Sequence, residues 1–328
     1  MFSSKKLTMF TSFAVLVGAA WGASGCASLA VWSAPEKELS HTSSPQARQA
    51  NQEFWQALHG GHYEDIGLVL EHLTAAYLAN PNDGVTAAHI GFTHTWRVSE
   101  RTRLPTQIAS VTDDLVLSHK YFSEATRLVP GDTRFQGFLA GMELAEGTVH
   151  HDEKLTRRGY FDLLDAKDAW PEFNLFTAGY VLSSLPYTDD KFHDALDYQW
   201  QTLDLCAEEH VDRKTAAYAR YMGKEVLVGP KRACWNSWIA PHNFEGFFLN
   251  MGDMLVKSGD VETARHVYAN AKLSKTYATW PYREVLEARI TEAADNVAVF
   301  RKPAAPGERT HRLMGDTAFA CMGCHQER

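Results

Sequence analysis

The chain has 328 residues, 45% of them hydrophobic and 12% aromatic. That is enough apolar side chain to bury one large core or two smaller ones, and it excludes a wholly disordered protein. The 40 acidic residues outnumber 32 basic ones, giving a formal charge of −8; this balance repels phosphate backbones and excludes nucleic acid as a partner.

Lys5 and Lys6 precede an apolar run from Leu7 to Ala20, and small residues follow as far as Cys26. This is the layout of a secretory signal over residues 1–25. The run is short for a bilayer span, and no later stretch approaches the roughly twenty apolar residues that a membrane helix needs. Export is therefore expected. Loss of residues 1–25 removes Lys5 and Lys6 and no acid, taking the charge from −8 to −10, which favours basic faces on partners.

Ala23-Ser24-Gly25-Cys26 resembles the lipobox of bacterial lipoproteins, with alanine where that family carries leucine. The resemblance implies acylation of Cys26, attachment to a membrane through a lipid anchor, and a place on the periplasmic side of a bacterial envelope as an outer-membrane lipoprotein. Cleavage after Ser28-Leu29-Ala30, leaving no anchor, stays open. Residues 26–46, rich in Ser, Pro, Thr and charge without apolar periodicity, read as a tether.

Apolar residues three and four apart predict a helical domain over residues 47–300. Its breaks fall at Asn80-Pro81-Asn82-Asp83, Pro130-Gly131-Asp132, Leu185-Pro186 and Ser258-Gly259-Asp260. The run Asn250-Met251-Gly252, Lys257-Ser258-Gly259-Asp260, Ala264, Tyr268 and Ala271 resembles both helices of a tetratricopeptide repeat. Two further segments resemble a second helix leading into the next first one: Leu73, Ala76, Pro81, Ile90-Gly91, and Phe122, Ala125, Pro130, Leu139-Ala140. The fold class implied is all-α, an irregular tetratricopeptide-like solenoid of helical hairpins. A generic helical bundle remains the alternative.

Gly252 and Ala264 would let two helices approach closely, with Tyr268 and Ala271 filling the contact to the next pair. Asp83 and Asp132 would cap helices after the two prolines. Residues 171–206 read as another pair. The spacing from Pro81 to Pro130 is longer than one repeat, which puts an insertion or an extra helix at Arg101 to Thr112.

With Cys26 given to lipid and Cys321 and Cys324 to a tail site, Cys206 and Cys234 remain as an even pair, either a disulfide or two buried thiols. His89, His94, His150, His151, His242 and His266 read as surface or packing residues. His150-His151-Asp152-Glu153 reads as a solvated polar turn rather than a metal site. Trp235, Trp238, Phe244, Phe247 and Phe248 read as core before they read as a haem wall or partner surface.

Residues 301–310, with Pro303, Pro306 and Gly307, form a predicted linker to a tail at 311–328. Asp316 is placed to cap a short helix in which Phe319 supplies an apolar contact and which presents Cys321, Cys324 and His325 at one edge. Two thiols three residues apart can reach the two vinyl-derived positions of a haem while the next imidazole ligates iron. The run Cys321-Met322-Gly323-Cys324-His325 resembles the attachment motif of c-type cytochromes. By that resemblance Cys321 and Cys324 form thioethers to one covalent haem c, and His325 is the axial iron ligand.

Only Gln326, Glu327 and Arg328 follow His325, so the sequence departs from small cytochromes c, whose ligating methionine lies far downstream. A sixth ligand must come from upstream, from a partner or from water, with His311 and Met314 the nearest candidates. A zinc site of Cys321, Cys324, His325 and His311, or a redox dithiol, is the competing chemistry.

Function is expected to be single-electron transfer by an exported monohaem c-type cytochrome, with a protein redox partner docking on the helical repeats. The competing expectations are a repeat-based scaffold or assembly protein whose tail is structural or metal-binding, and a haem enzyme or gas sensor with an open sixth position.

Overall fold

A computed structural model describes residues 26–103, 110–236, 245–303 and 313–316. The chain divides into two compact units between Glu38 and Leu39. In the first, residues 26–32 are helical, with Trp32 82% exposed. The second begins ahead of the first long helix, where Ser40 N donates to Asn82 O (2.9 Å) and Ser43 Oγ to Asp83 Oδ2 (3.3 Å).

The fold is all-α, with no strand among the described residues. Its helices pair as α1 (Pro45–Gly60) with α2 (Ile66–Ala79), α3 (Gly84–Ser99) with α4 (Val111–Leu128), and α5 (Thr133–His150) with α6 (Glu153–Ala169). The pairs continue as α7 (Pro171–Leu182) with α8 (Asp190–Ala207), then, after the short α9 (Arg232–Trp235), as α10 (Glu245–Ser258) with α11 (Val261–Ala271). Last come α12 (Arg283–Thr291) and α13 (Ala293–Arg301). Successive hairpins pack through α2–α3, α4–α5 and α6–α7, so the helices form a repeat solenoid rather than a bundle around one central axis.

Each expected break is a turn between helices, and the aspartates that follow are the caps. Asp83 accepts from Thr86 N (3.0 Å), Asp132 from Arg134 N (3.2 Å), Asp189 from Lys191 N (2.9 Å) and Asp260 from Thr263 N (3.1 Å). Each bond satisfies an amide that the first helical turn leaves unpaired. The added length between Pro81 and Pro130 includes a 3-10 turn over Glu100–Arg103 and a connection up to Val111. Residues 104–109 of that connection lie outside the described part.

Small residues set how closely the hairpins close. A Cβ placed on Gly252 of α10 would lie 2.2 Å from the Tyr268 ring of α11, so only glycine leaves room for that ring against the opposing helix. Between α5 and α6 the contact is backbone on backbone, since a Cβ on Gly159 would lie 2.8 Å from Ala140 O and 2.7 Å from Leu144 N.

The largest apolar cluster runs from Ala140 in α5 to Met314 beyond α13, taking in Trp200, Trp235, Phe247, Phe248 and Tyr268. Phe54, Leu73, Ile90 and Trp96 centre a second cluster on α1–α3. The described members of the aromatic group, Trp235, Phe247 and Phe248, are buried in the first cluster; Trp238 and Phe244 lie outside the described residues.

Candidate functional site

Among the described residues beyond α13, a 3-10 turn, Leu313–Asp316, is seated on α10. Leu313 and Met314 are 6% and 1% exposed and belong to the main apolar cluster. The Met314 backbone N–H donates to Asp253 Oδ2 at 2.8 Å. Asp253 is fully buried in α10, where Tyr268 Oη donates to its Oδ1 (2.5 Å) and Arg289 Nε of α12 lies 3.4 Å from the same oxygen. A carboxylate can be held in an apolar interior only with such charge and donor partners.

Met314 sits at φ 54°, the left-handed region that side chains with a Cβ rarely occupy. Its buried side chain and its bond to Asp253 hold it there. At the end of α13, Arg301 donates through Nε to Lys257 O (2.8 Å) and through Nη2 to Ser258 O (2.6 Å), closing that helix onto the end of α10. Lys257 is itself buried and donates to Ser183 O (2.9 Å) and Leu185 O (2.7 Å), neutralising carbonyls at the end of α7. Burial pulls its ammonium down to about 8.

Of the residues named for the tail, Cys321, Cys324, His325 and His311 lie outside the described residues, whereas Met314 is placed with its side chain in the apolar cluster. Asp316 closes the 3-10 turn. Cys26 is an exposed free cysteine.

Cys206 and Cys234, which the sequence left open, are joined as a disulfide with their α-carbons 5.6 Å apart. The bridge closes a connection that threads Val211, Ala216, Tyr218 and Tyr221 through the main core, where Asn270 Nδ2 donates to Ala216 O (2.7 Å).

His89 and His94 of the helical body have local partners. His89 is buried against the Phe54 ring, 4.4 Å between centroids, and its Nδ1 donates to Asn51 Oδ1 at 2.5 Å. Burial, with the Arg134 guanidinium adding to it, holds this imidazole down at about 3. His94 Nδ1 donates to Asp114 Oδ1 (2.8 Å). His150 ends α5, His151 takes the left-handed cap position at φ 56°, and Asp152 starts α6, which makes that run a polar turn. His266 is exposed, and His242 lies outside the described residues.

A second polar group spans α4, α5 and α6. His119 Nδ1 donates to Glu146 Oε2 (2.7 Å), and Glu143, 4% exposed, faces Asp162 with Arg158 at 4.0 Å. Burial, and then the Asp162 carboxylate, push Glu143 up to about 7. No three of the His, Cys, Asp and Glu side chains among the described residues are grouped to hold a metal ion, and no described helix is long and apolar enough to cross a membrane.

No protein-family model, curated protein or solved structure matches the chain.

Sequence reasoning missed Asp253. A signal was present: Asn250 and Asp253 interrupt the otherwise apolar run from Phe247 to Val256 at a spacing that puts both on one helix face. Its partners could not be read, because Tyr268, Arg289 and Met314 come from three other segments.

Proposed function

We propose that the chain is an exported monohaem c-type cytochrome, whose helical array docks a protein redox partner and whose C-terminal tail passes single electrons. The observation that carries this reading is the run Cys321-Met322-Gly323-Cys324-His325 in a chain whose residues 1–25 have the layout of an export signal, since haem attachment to such a motif takes place outside the cytoplasm. The donor chemistry fits the group. Cys321 and Cys324 supply two thiols at the spacing of the haem vinyl positions, and His325 supplies the imidazole beside them. A haem bound there supplies a one-electron iron couple whose potential follows axial ligation, burial and hydrogen bonding.

The rest is done by the chain itself. Leu313 and Met314 attach the tail to α10 seven residues before Cys321. The reading puts the protein on the periplasmic side of a bacterial envelope, held by an acyl group on Cys26, and the exposure of that cysteine supports it.

The test is expression of the mature chain with a c-type maturation system, extraction of free haem under denaturing conditions, and a reduced spectrum of the remaining protein. One covalent haem per chain is expected. Its absence sinks the reading.

A further inference from the structure

We propose that Glu143 and Asp162 form a proton-held latch between α5 and α6, which keeps that hairpin closed in acid and lets the array hinge there as pH rises. The inference stands on described residues and is independent of the haem reading.

Glu143 of α5 is 4% exposed, and its Oε2 is buried with no hydrogen-bond donor among the described residues. The basic groups nearest its other oxygen are His119 Nε2 of α4 at 3.8 Å and Arg158 Nη1 of α6 at 4.0 Å, both beyond hydrogen-bond reach. His119 is held elsewhere, through Nδ1 on Glu146 Oε2 at 2.7 Å. The group that does reach Glu143 is a second acid. The Asp162 side chain of α6 stands in hydrogen-bonding contact with it, and Glu146 adds a further negative charge. α7 meets α5 beside them through an apolar contact, where a Cβ on Gly141 would lie 3.5 Å from Val181. Two carboxyl groups can share a hydrogen bond only when one of them carries a proton. Burial, and then the Asp162 charge, put that proton on Glu143, whose carboxyl is pushed up to about 7.

The packing around the pair makes the proton matter. A Cβ on Gly159 would lie 2.7 Å from Leu144 N and 2.9 Å from Glu143 Cβ, and one on Gly147 would lie 2.7 Å from Thr156 N. The two helices therefore touch through their backbones, one contact falling at Glu143 itself. Loss of the proton leaves a buried charge facing another, and water can reach it only if α6 moves away from α5. Position gives that motion a consequence. Met142 joins α5 to the cluster of Val98, Leu115 and Phe122, whereas Ala140 belongs to the main cluster that continues to Phe300. Opening the hairpin uncouples these two parts of the core.

The sign follows from proton binding. Glu143 titrates near 7 in the closed hairpin and at an ordinary 4.5 once open to water. The closed form holds the extra proton, so closure is strongest in acid and weakens as pH rises from 4.5 to 7. Between pH 6 and pH 8 the open fraction should rise about tenfold.

Amide hydrogen exchange of the full chain at pH 6 and pH 8, read by mass spectrometry on peptides spanning residues 140–162, tests this. Glu143→Gln is the comparison, because its amide donates to Asp162 without a titrating proton. The pH dependence of the exchange chemistry cancels in the ratio of the two proteins. The native-to-variant ratio of exchange rates should be about tenfold higher at pH 8 than at pH 6, with peptides from α10 and α11 unchanged. Asp162→Asn, whose amide donates to an ionised Glu143, should also exchange with less pH dependence than the native chain, and it decides alone if Glu143→Gln fails to fold. A ratio that is the same at both pH values overturns the latch. A rise of equal size in α10 and α11 overturns the hinge, because the titration would then act on global stability.

Discussion

His89 shows how one side chain ties the fold to solvent conditions. Its imidazole is buried beside Phe54, donates to Asn51 and is held down at about 3 against an ordinary 6.5. Between those two values the folded chain binds fewer protons at this site than the unfolded chain does. The stabilisation is therefore complete above pH 6.5 and is lost as pH falls toward 3. Urea unfolding at pH 7 and pH 5 should show a drop in stability that His89→Asn, which keeps a polar side chain without a titrating ring, reduces. A pH dependence identical in the two proteins would assign the acid sensitivity elsewhere.

At the scale of elements, the long connection between α8 and α9 is held at its ends by Cys206 and Cys234, 28 residues apart in sequence. Closing a loop of that length restricts the unfolded chain by about 3 kcal/mol, and here the connection also carries core residues such as Tyr218. Cys206→Ala with Cys234→Ala should lower unfolding stability by about 2–4 kcal/mol, measured in urea, and native protein treated with reductant should approach the same value. A change under about 0.5 kcal/mol would mean that packing alone fixes the connection.

The elements themselves were largely legible. Proline and Asn/Asp/Gly clusters marked the turns, because chain breakers and caps act locally. Gly252 with Tyr268 marked a close hairpin, because the repeat pattern encodes a contact between residues 16 positions apart. The disulfide stayed open because nothing local brings two α-carbons to 5.6 Å. Asp253 escaped for the same reason: a buried carboxylate means something only once the three segments that meet it are known. The Cys321 to His325 run was readable because its five residues are contiguous, whereas the burial of Leu313 and Met314 against α10 is tertiary and was not.

For the whole molecule, the separation between scaffold and tail can be put to a thermodynamic test. The main cluster runs from Ala140 to Met314, and among the described residues only Leu313 and Met314 join it from beyond α13. Burying two such apolar side chains contributes about 1.5–3 kcal/mol each at most. Ending the chain after Pro303 should therefore lower stability by about 2–4 kcal/mol, allowing for the strain relieved at Met314. On the proposed cytochrome reading, replacing Cys321 and Cys324 by serine removes haem attachment and leaves that anchor in place. If the helical body folds on its own contacts, the serine variant should keep its helical circular dichroism and unfold within about 1 kcal/mol of the native chain while losing its haem spectrum. If the haem instead forms part of the core, the serine variant will be the less stable of the two, and tail and scaffold would have to be treated as one folding unit.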